Sequence, residues 1–224
     1  MKLLLLGAFA LALGTGAAAA QDQVYDWSGA YIGGQVGYAW GDVDPHPLGY
    51  PDWPPTDIRP DGILGGVFAG YNLQLDGGLV VGADSNFSLA SIASESVWIG
   101  LDGSPTKPEQ LNFTRVEWTA NLRGRVGYAF DRALLFVAGG LAVADVHIDD
   151  MTDGNRRPSL DETLTGWTVG VGMDYAFTNS LFGRVEYRYS DFGTVPNSYV
   201  YSDWVSYDVD IKTHDLLVGV AYKF

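Results

Sequence analysis

Residues 211–224 read IKTHDLLVGVAYKF, and from Asp215 onward their side chains alternate in character with a period of two. The positions of one parity are Leu216, Val218, Val220, Tyr222 and Phe224. The positions of the other parity are Asp215, Leu217, Gly219, Ala221 and Lys223. Successive side chains of a β-strand point to opposite faces, so this alternation predicts a strand with one continuous apolar face.

Seven earlier segments carry comparable patterns, which brings the number of predicted strands to eight. The eight segments are 28–41, 62–75, 78–91, 113–130, 133–147, 164–177, 181–192 and 211–224. Segment 133–147 is apolar at both parities, so either facing fits its sequence. Aromatic residues lie near the ends of several apolar faces, as Trp118 and Trp167 do, which is typical of girdles at the two interfaces of a membrane.

The connections between these segments alternate between short and long. The short ones are Asp76-Gly77, Asp131-Arg132 and 178–180, and the long ones are 42–61, 92–112, 148–163 and 193–210. This connectivity predicts an all-β fold, an eight-stranded antiparallel transmembrane β-barrel. Its short turns and both termini are expected in the periplasm, and its long loops outside the cell. A soluble lipocalin-type barrel is the alternative, but long strands, terminal aromatics and a glycine-rich polar face favour the membrane barrel.

Residues 1–20 have the features of a secretory signal peptide. Lys2 precedes an apolar stretch of eleven residues, and three small residues, Ala18 to Ala20, precede Gln21. Cleavage between Ala20 and Gln21 is expected to leave 21–224 as the barrel domain. The chain has no cysteine, so disulfides do not stabilise it. Its formal net charge of −14 argues against a nucleic-acid partner.

The polar faces of the predicted strands place nine charged residues in one lumen. They are Asp84, Glu117, Arg123, Arg125, Asp174, Arg184, Glu186, Arg188 and Asp215. An eight-stranded barrel is only wide enough for side chains to fill it, and buried charges need partners. An arginine–carboxylate network is therefore expected to close the lumen, because guanidinium groups bind carboxylates with two hydrogen bonds. It is either a static plug, the preferred interpretation, or a gate that opens when partners exchange.

No motif for catalysis, a cofactor or a metal ion is found. The histidines His46, His147 and His214 are isolated at strand ends or in a loop, without a nearby nucleophile in a recognisable spacing. The acidic stretch 149–162 lacks the ligand spacing of a calcium loop and contains Arg156 and Arg157. The chain is therefore predicted not to be an enzyme and to bind no cofactor.

Several short motifs resemble the outer-membrane immunogenic proteins of alphaproteobacteria, which have a small OmpA-like, porin-family barrel. They are WSGAYIGGQVGY at 27–38, GGVFAGY at 65–71, GRVGY at 124–128, GWTVGVG at 166–172, EYRY at 186–189 and VGVAYKF at 218–224. The resemblance implies an integral protein of the outer membrane that contacts its lipid and lipopolysaccharide. It also implies recognition by the barrel-assembly machinery, through Val218, Val220, Tyr222 and Phe224.

The resemblance further implies a role in envelope integrity and as a surface antigen, most simply as a monomer. Two alternatives remain open. One is a narrow, non-specific porin, since limited porin activity is ascribed to some members of the family. The other is an adhesin or receptor whose loops bind a host or neighbouring surface. The aromatic loop residues suited to such contacts are Trp53, Trp98, Tyr199, Tyr201 and Trp204.

Overall fold

The computed structural model describes residues 25–47, 59–97, 111–152, 155–201 and 205–224. Eight antiparallel strands pair in chain order, and β1 pairs with β8 to close the sheet. The strands are β1 Gly29–Pro47, β2 Asp61–Gln74, β3 Leu79–Val97, β4 Leu111–Phe130, β5 Ala133–Thr152, β6 Asn155–Ala176, β7 Leu181–Tyr201 and β8 Val205–Lys223. The predicted closed antiparallel eight-stranded barrel is confirmed, and closure leaves no unpaired strand edge.

Three short connections lie at one end of the barrel, which we call the turn end. The chain passes from β2 to β3 through a 3-10 turn, Asp76–Gly78, in which Gly77 has a φ of 80°. The β4–β5 turn has Asp131 at a φ of 49°, a conformation that aspartate tolerates better than most residues. We call the opposite end the hairpin end; there residues 48–60 connect β1 to β2, residues 98–110 connect β3 to β4, and the β5–β6 and β7–β8 hairpins end.

The strands extend further at the hairpin end than the sequence predicts. Residues 148–152 and 155–163 belong to β5 and β6, and residues 193–201 and 205–210 belong to β7 and β8. The expected loops 148–163 and 193–210 are therefore mostly paired strands, and this part of the prediction was wrong. Main-chain hydrogen bonds extend these hairpins. Residues 155–163 carry no alternating pattern, whereas residues 205–210, VSYDVD, do alternate and this signal was overlooked. Trp53, Trp98 and Trp204 lie outside the described residues, as do the side chains of Tyr199 and Tyr201.

The outer wall of the barrel is apolar and the interior is filled with side chains. Residues at least half exposed on the outer wall include Val36, Ile63, Val67, Leu89, Leu122, Leu141, Val171, Val218 and Tyr222. The largest buried side chains include Trp27, Arg123, Arg188 and Phe68. This arrangement is inverted relative to a soluble barrel and excludes the lipocalin alternative. The described residues contain no α-helix long and apolar enough to cross a bilayer.

The structure also settles the facing of β5. Its even-numbered residues, such as Leu134, Phe136 and Ala142, are buried in the lumen, whereas Leu135 and Leu141 are exposed outside. Both faces are apolar because the inward residues of β5 contribute mainly to apolar parts of the lumen.

Candidate functional site

The lumen is built from three layers along the barrel axis. On β7, apolar Phe182 lies towards the turn end, the charged Arg184, Glu186 and Arg188 follow, and apolar Phe192 lies towards the hairpin end. The same order of apolar, polar and apolar residues recurs on β3, with Val80, then Asp84, Asn86 and Ser88, then Ile92. A charged layer is therefore enclosed between two apolar layers.

Arg123 on β4 is the centre of the charged layer. Its guanidinium donates to both oxygens of Asp84, with Nε–Oδ1 at 2.9 Å and Nη2–Oδ2 at 3.1 Å. On its other side it donates from Nη2 to Glu186 Oε2 at 3.2 Å and from Nη1 to Glu186 Oε1. All three side chains are fully buried. One planar guanidinium thus bridges two carboxylates from strands on different sides of the barrel, a geometry that lysine does not provide.

Asp174 on β6 joins two further arginines. Arg184 donates from Nε and Nη2 to its two oxygens at 2.7 and 2.9 Å. Arg125 donates from Nη2 to Asp174 Oδ2 at 2.8 Å and from Nη1 to the Tyr31 hydroxyl at 3.0 Å. The Arg125 guanidinium also lies 3.9 Å from the centre of the Phe136 ring, a cation–π contact. Both arginines are therefore held by a carboxylate and by aromatic rings of the lumen.

Arg188 and Asp215 complete the charged layer towards the hairpin end. Arg188 donates from Nε to Glu186 Oε1 at 3.1 Å and from Nη2 to Asn86 Oδ1 at 3.2 Å. Its Nη1 lies 3.9 Å from Asp215 Oδ2, the longest ion pair of the layer. Arg184 Nη1 lies 3.5 Å from Asp84 Oδ2 and links the two halves of the network. Four arginines and four carboxylates balance in formal charge, which limits the cost of burying them.

The two apolar layers exclude water on either side of the charged layer. The hairpin-end layer consists of Ala39, Leu64, Ile92, Val116, Ala142, Ala144, Val146, Leu164, Phe192, Ile211 and Leu217. The turn-end layer consists of Tyr25, Trp27, Tyr31, Phe68, Val80, Ala129, Leu134, Ala176, Phe182 and Ala221. In such a low-dielectric environment hydrogen bonds between charged groups are stronger than in water.

The segment before β1 seals the turn end. Trp27 is 0% exposed and packs edge-to-face against Phe182, with ring centres 5.6 Å apart. Its backbone N–H donates to Gln74 Oε1 at 2.8 Å, and the Tyr25 hydroxyl donates to the Asn179 carbonyl. The Ser28 backbone N–H donates to Asp26 Oδ1 at 2.9 Å, and this bond holds the pKa of the Asp26 carboxyl below its ordinary value. We call residues 25–28 the N-terminal plug.

Glu117 does not belong to the charged layer, which corrects the sequence prediction. Val116 pairs with Val146 and Trp118 pairs with Asp145, so Glu117 is an extra residue in β4. This β-bulge shifts the alternation by one position, and Val116 points into the lumen instead. The Glu117 side chain is 50% exposed on the outer wall. The other eight predicted residues are buried in the lumen and form the contacts described above.

Several lumen residues were missed by the sequence analysis. Tyr31 and Asn86 accept hydrogen bonds from the arginines, and Gln35 donates from Nε2 to Ser88 Oγ at 3.2 Å. Tyr31 and Gln35 on β1, and Asn86 and Ser88 on β3, lie at the parity that faces the lumen, and this is the signal that could have identified them. Trp27 gave no such signal because it precedes the alternating part of β1.

The described histidines face outward. His214 stacks on Trp40, and its Nδ1 lies 2.7 Å from the Tyr187 hydroxyl. His147 Nε2 lies 3.2 Å from Asp145 Oδ2. The side chain of His46 lies outside the described part of the chain.

Comparison with known proteins gives consistent matches over most of the chain. The family model of the outer membrane protein beta-barrel domain matches residues 8–224. The 31 kDa outer-membrane immunogenic protein of Brucella melitensis is 35% identical over 223 residues, covering 92% of this chain and 87% of that protein. The 22 kDa outer membrane protein of Rhizobium leguminosarum bv. viciae is 30% identical over 198 residues, covering 88% and 78%.

A solved structure supports the fold alone. The crystal structure of the outer membrane protein OprG from Pseudomonas aeruginosa has a TM-score of 0.54 at 12% identity and covers 89% of this chain and 98% of that chain. Together with the apolar outer wall, the comparisons place the protein in the outer membrane. The chain belongs to the outer membrane protein beta-barrel domain family and is a relative of the outer-membrane immunogenic proteins.

Proposed function

We propose that this protein is a non-conducting structural barrel that supports the outer membrane, with a lumen kept closed by the charged layer. The observation that carries the proposal is the buried network of four arginines and four carboxylates between two apolar layers. Each of its arginines contacts at least one carboxylate at 3.1 Å or less. Moving an ion through the lumen would require breaking several such contacts at once, and each broken pair leaves a buried charge without a partner.

In this proposal the turn end and both termini face the periplasm, and the hairpin end faces the exterior. The connections 48–60 and 98–110 and the extended β5–β6 and β7–β8 hairpins at one end, against the short turns at the other, support this orientation. Residues 1–20 are then a signal peptide removed between Ala20 and Gln21. The names of the Brucella relatives describe those proteins as immunogenic, which supports a role as surface antigen for a hairpin end exposed to the exterior.

We further propose that the barrel-assembly machinery reads the end of β8. Val218, Val220, Tyr222 and Phe224 all point outward, and Phe224 is 75% exposed. The β8 strand pairs with β1 where the barrel closes, so it must be positioned before closure. The outward-facing aromatic and aliphatic side chains at these positions also support a contact with membrane lipid on the periplasmic side. Contact with lipopolysaccharide is proposed for the outward-facing residues nearer the hairpin end. The mature protein is proposed to act as a monomer.

We propose no enzymatic activity. His147 and His214, the histidines whose side chains are described, are 28% and 24% exposed and face outward on the barrel wall rather than into the lumen. His214 contacts the hydroxyl of Tyr187 and lies 3.7 Å from Asp42, an arrangement that suits anchoring at the membrane interface.

A narrow pore is the second candidate, and one observation favours it. The Arg188–Asp215 pair is longer than the other ion pairs of the charged layer, so it is the pair most easily exchanged. Such an exchange would have to open a passage through the hairpin-end layer as well.

The experiment that separates the two candidates is ion conductance of the refolded barrel in a planar lipid bilayer. The wild-type protein is expected to be silent. Arg188→Ala is also expected to be silent, because the carboxylate contacts of Arg123, Arg125 and Arg184 and both apolar layers remain. Altered gel mobility on heating provides the folding control for both proteins. Steady openings of the wild-type protein whose size changes in Arg188→Ala would overturn the closed barrel in favour of the pore.

A further inference from the structure

Three side chains of the kinds that bind metal ions lie close together on the outer wall near the hairpin end. Asp145 and His147 are two residues apart on β5 and share a face, and this face is outward because their neighbours Ala144 and Val146 are buried in the lumen. The bulge at Glu117 turns its carboxylate from the lumen to the same face, next to the register position of Asp145. The bulge that removed Glu117 from the charged layer therefore brought it to a second group of ionisable residues.

The distances within this group suit a single ion. His147 Nε2 lies 3.2 Å from Asp145 Oδ2 and 4.0 Å from Glu117 Oε2. One ligand atom from each of the three residues lies within 4.8 Å of the others. Zinc binds nitrogen and oxygen at about 2.0–2.2 Å in a tetrahedral arrangement, which places neighbouring ligand atoms roughly 3.3–3.6 Å apart. The Asp145–His147 separation is already close to this value, and the exposed Glu117 side chain can rotate to reach it.

The kinds of ligand atom indicate the class of metal. One imidazole nitrogen with two carboxylates suits zinc, copper or nickel, whereas calcium and magnesium prefer sites made of oxygen alone. Arg115 Nη1 lies 3.8 Å from Glu117 Oε1 and is a competing positive charge. With Arg115 counted, two carboxylates still leave the group with a formal charge of −1 when the imidazole is neutral.

We propose that Glu117, Asp145 and His147 form a binding site for a divalent transition-metal ion on the outer wall of the barrel. Three protein ligands leave at least one coordination position for water or an external ligand. The ion would join β4 to β5 just beyond the apolar belt, where Trp118 stacks on Phe87. This site revises the sequence-based expectation that the chain binds no metal.

The test is titration of untagged, refolded protein with Zn²⁺, followed by calorimetry, in the presence of excess Mg²⁺. We expect one high-affinity Zn²⁺ per chain. His147→Ala removes a direct ligand and is expected to weaken Zn²⁺ binding at least about tenfold. Even the loss of a group that only hydrogen-bonds to a ligand usually weakens binding by this factor. Glu117→Gln, which keeps the size of the side chain, is expected to weaken binding as well.

His214→Ala is the matched control, because His214 is also an outward-facing histidine with a carboxylate, Asp42, 3.7 Å away. This variant is expected to bind Zn²⁺ as the wild type does. Arg115→Gln removes the competing charge and is expected to tighten binding, an effect that a purely structural role of the group does not predict. Wild-type protein that binds Zn²⁺ no better than His147→Ala, or binding that is lost in His214→Ala instead, would overturn the proposal.

Discussion

Replacing Arg123 by methionine is expected to lower the free energy of unfolding of the barrel by about 3–5 kcal/mol, the cost usual for breaking a buried ion pair. Methionine fills a similar length but leaves Asp84 and Glu186 without the bidentate donor that lies between them. Neither carboxylate can reach water, because the charged layer is enclosed by apolar layers on both sides. The measurement is urea-induced unfolding of the barrel in lipid vesicles, followed by tryptophan fluorescence.

Arg115→Met is the matched control for this prediction. Arg115 also lies near a carboxylate, Glu117, but its side chain is 55% exposed. Exposed pairs contribute about 0–1 kcal/mol, so this variant should unfold close to the wild type. The double variant Arg123→Met/Glu186→Gln should lose less than the sum of the two single losses, since the two side chains are in direct contact. Equal losses for Arg123→Met and Arg115→Met would contradict a network that stabilises the lumen.

Replacing Trp27 by alanine is expected to cost a similar amount, about 3–5 kcal/mol, because a fully buried indole is lost and a cavity remains. Trp27 packs against Tyr25 and Phe182 and closes the turn-end layer. Unfolding of the variant is measured in the same vesicles, with gel mobility as the probe because one tryptophan has been removed.

Trp167→Ala is the control for the N-terminal plug. Trp167 is also a tryptophan, but it lies in the middle of β6 and is 50% exposed on the outer wall. Its removal should change the unfolding free energy much less, since lipid replaces the lost contacts. If Trp27→Ala were as stable as Trp167→Ala, the segment before β1 would not seal the barrel.

The charged layer could be predicted from the sequence because the apolar residues of each strand in a membrane barrel face the lipid, and the alternate residues face the lumen. Once the apolar parity was assigned to lipid, Arg123, Arg184, Glu186 and Asp174 had to face the lumen, and they do. The pairing within the layer was not predictable, because it depends on the stagger between strands. Arg123 contacts Asp84 on the adjacent β3 but also Glu186 on β7, which no pattern along one strand indicates.

The errors have a different physical origin. The extra residue Glu117 reverses which parity of β4 faces the lumen on the two sides of the bulge. The sequence does not show the bulge, because Val116 and Trp118 are both apolar and continue the alternation. The two-sided apolar pattern of β5 reflects inward residues that pack in apolar parts of the lumen. The β5–β6 hairpin beyond the apolar belt is held by main-chain hydrogen bonds, and its side chains do not alternate. In the β7–β8 hairpin residues 205–210, VSYDVD, do alternate, and the sequence analysis overlooked this signal.

The most direct test of a closed lumen uses the absence of cysteine from the chain. Ser88→Cys is a nearly isosteric change at a side chain that is 2% exposed, between the charged layer and the hairpin-end layer. Asn179→Cys, in an exposed turn, is the control. The folded barrel in detergent micelles is treated with a small, charged, water-soluble thiol reagent.

We expect the thiol at position 88 to react at least about a hundredfold more slowly than the thiol at position 179, because reaction requires the folded structure to open. Full reaction at position 88 should follow only after unfolding in urea. Reaction at both positions at the same rate, in protein that still shows the gel mobility of the folded barrel, would mean that water fills the lumen and that the charged layer does not close it.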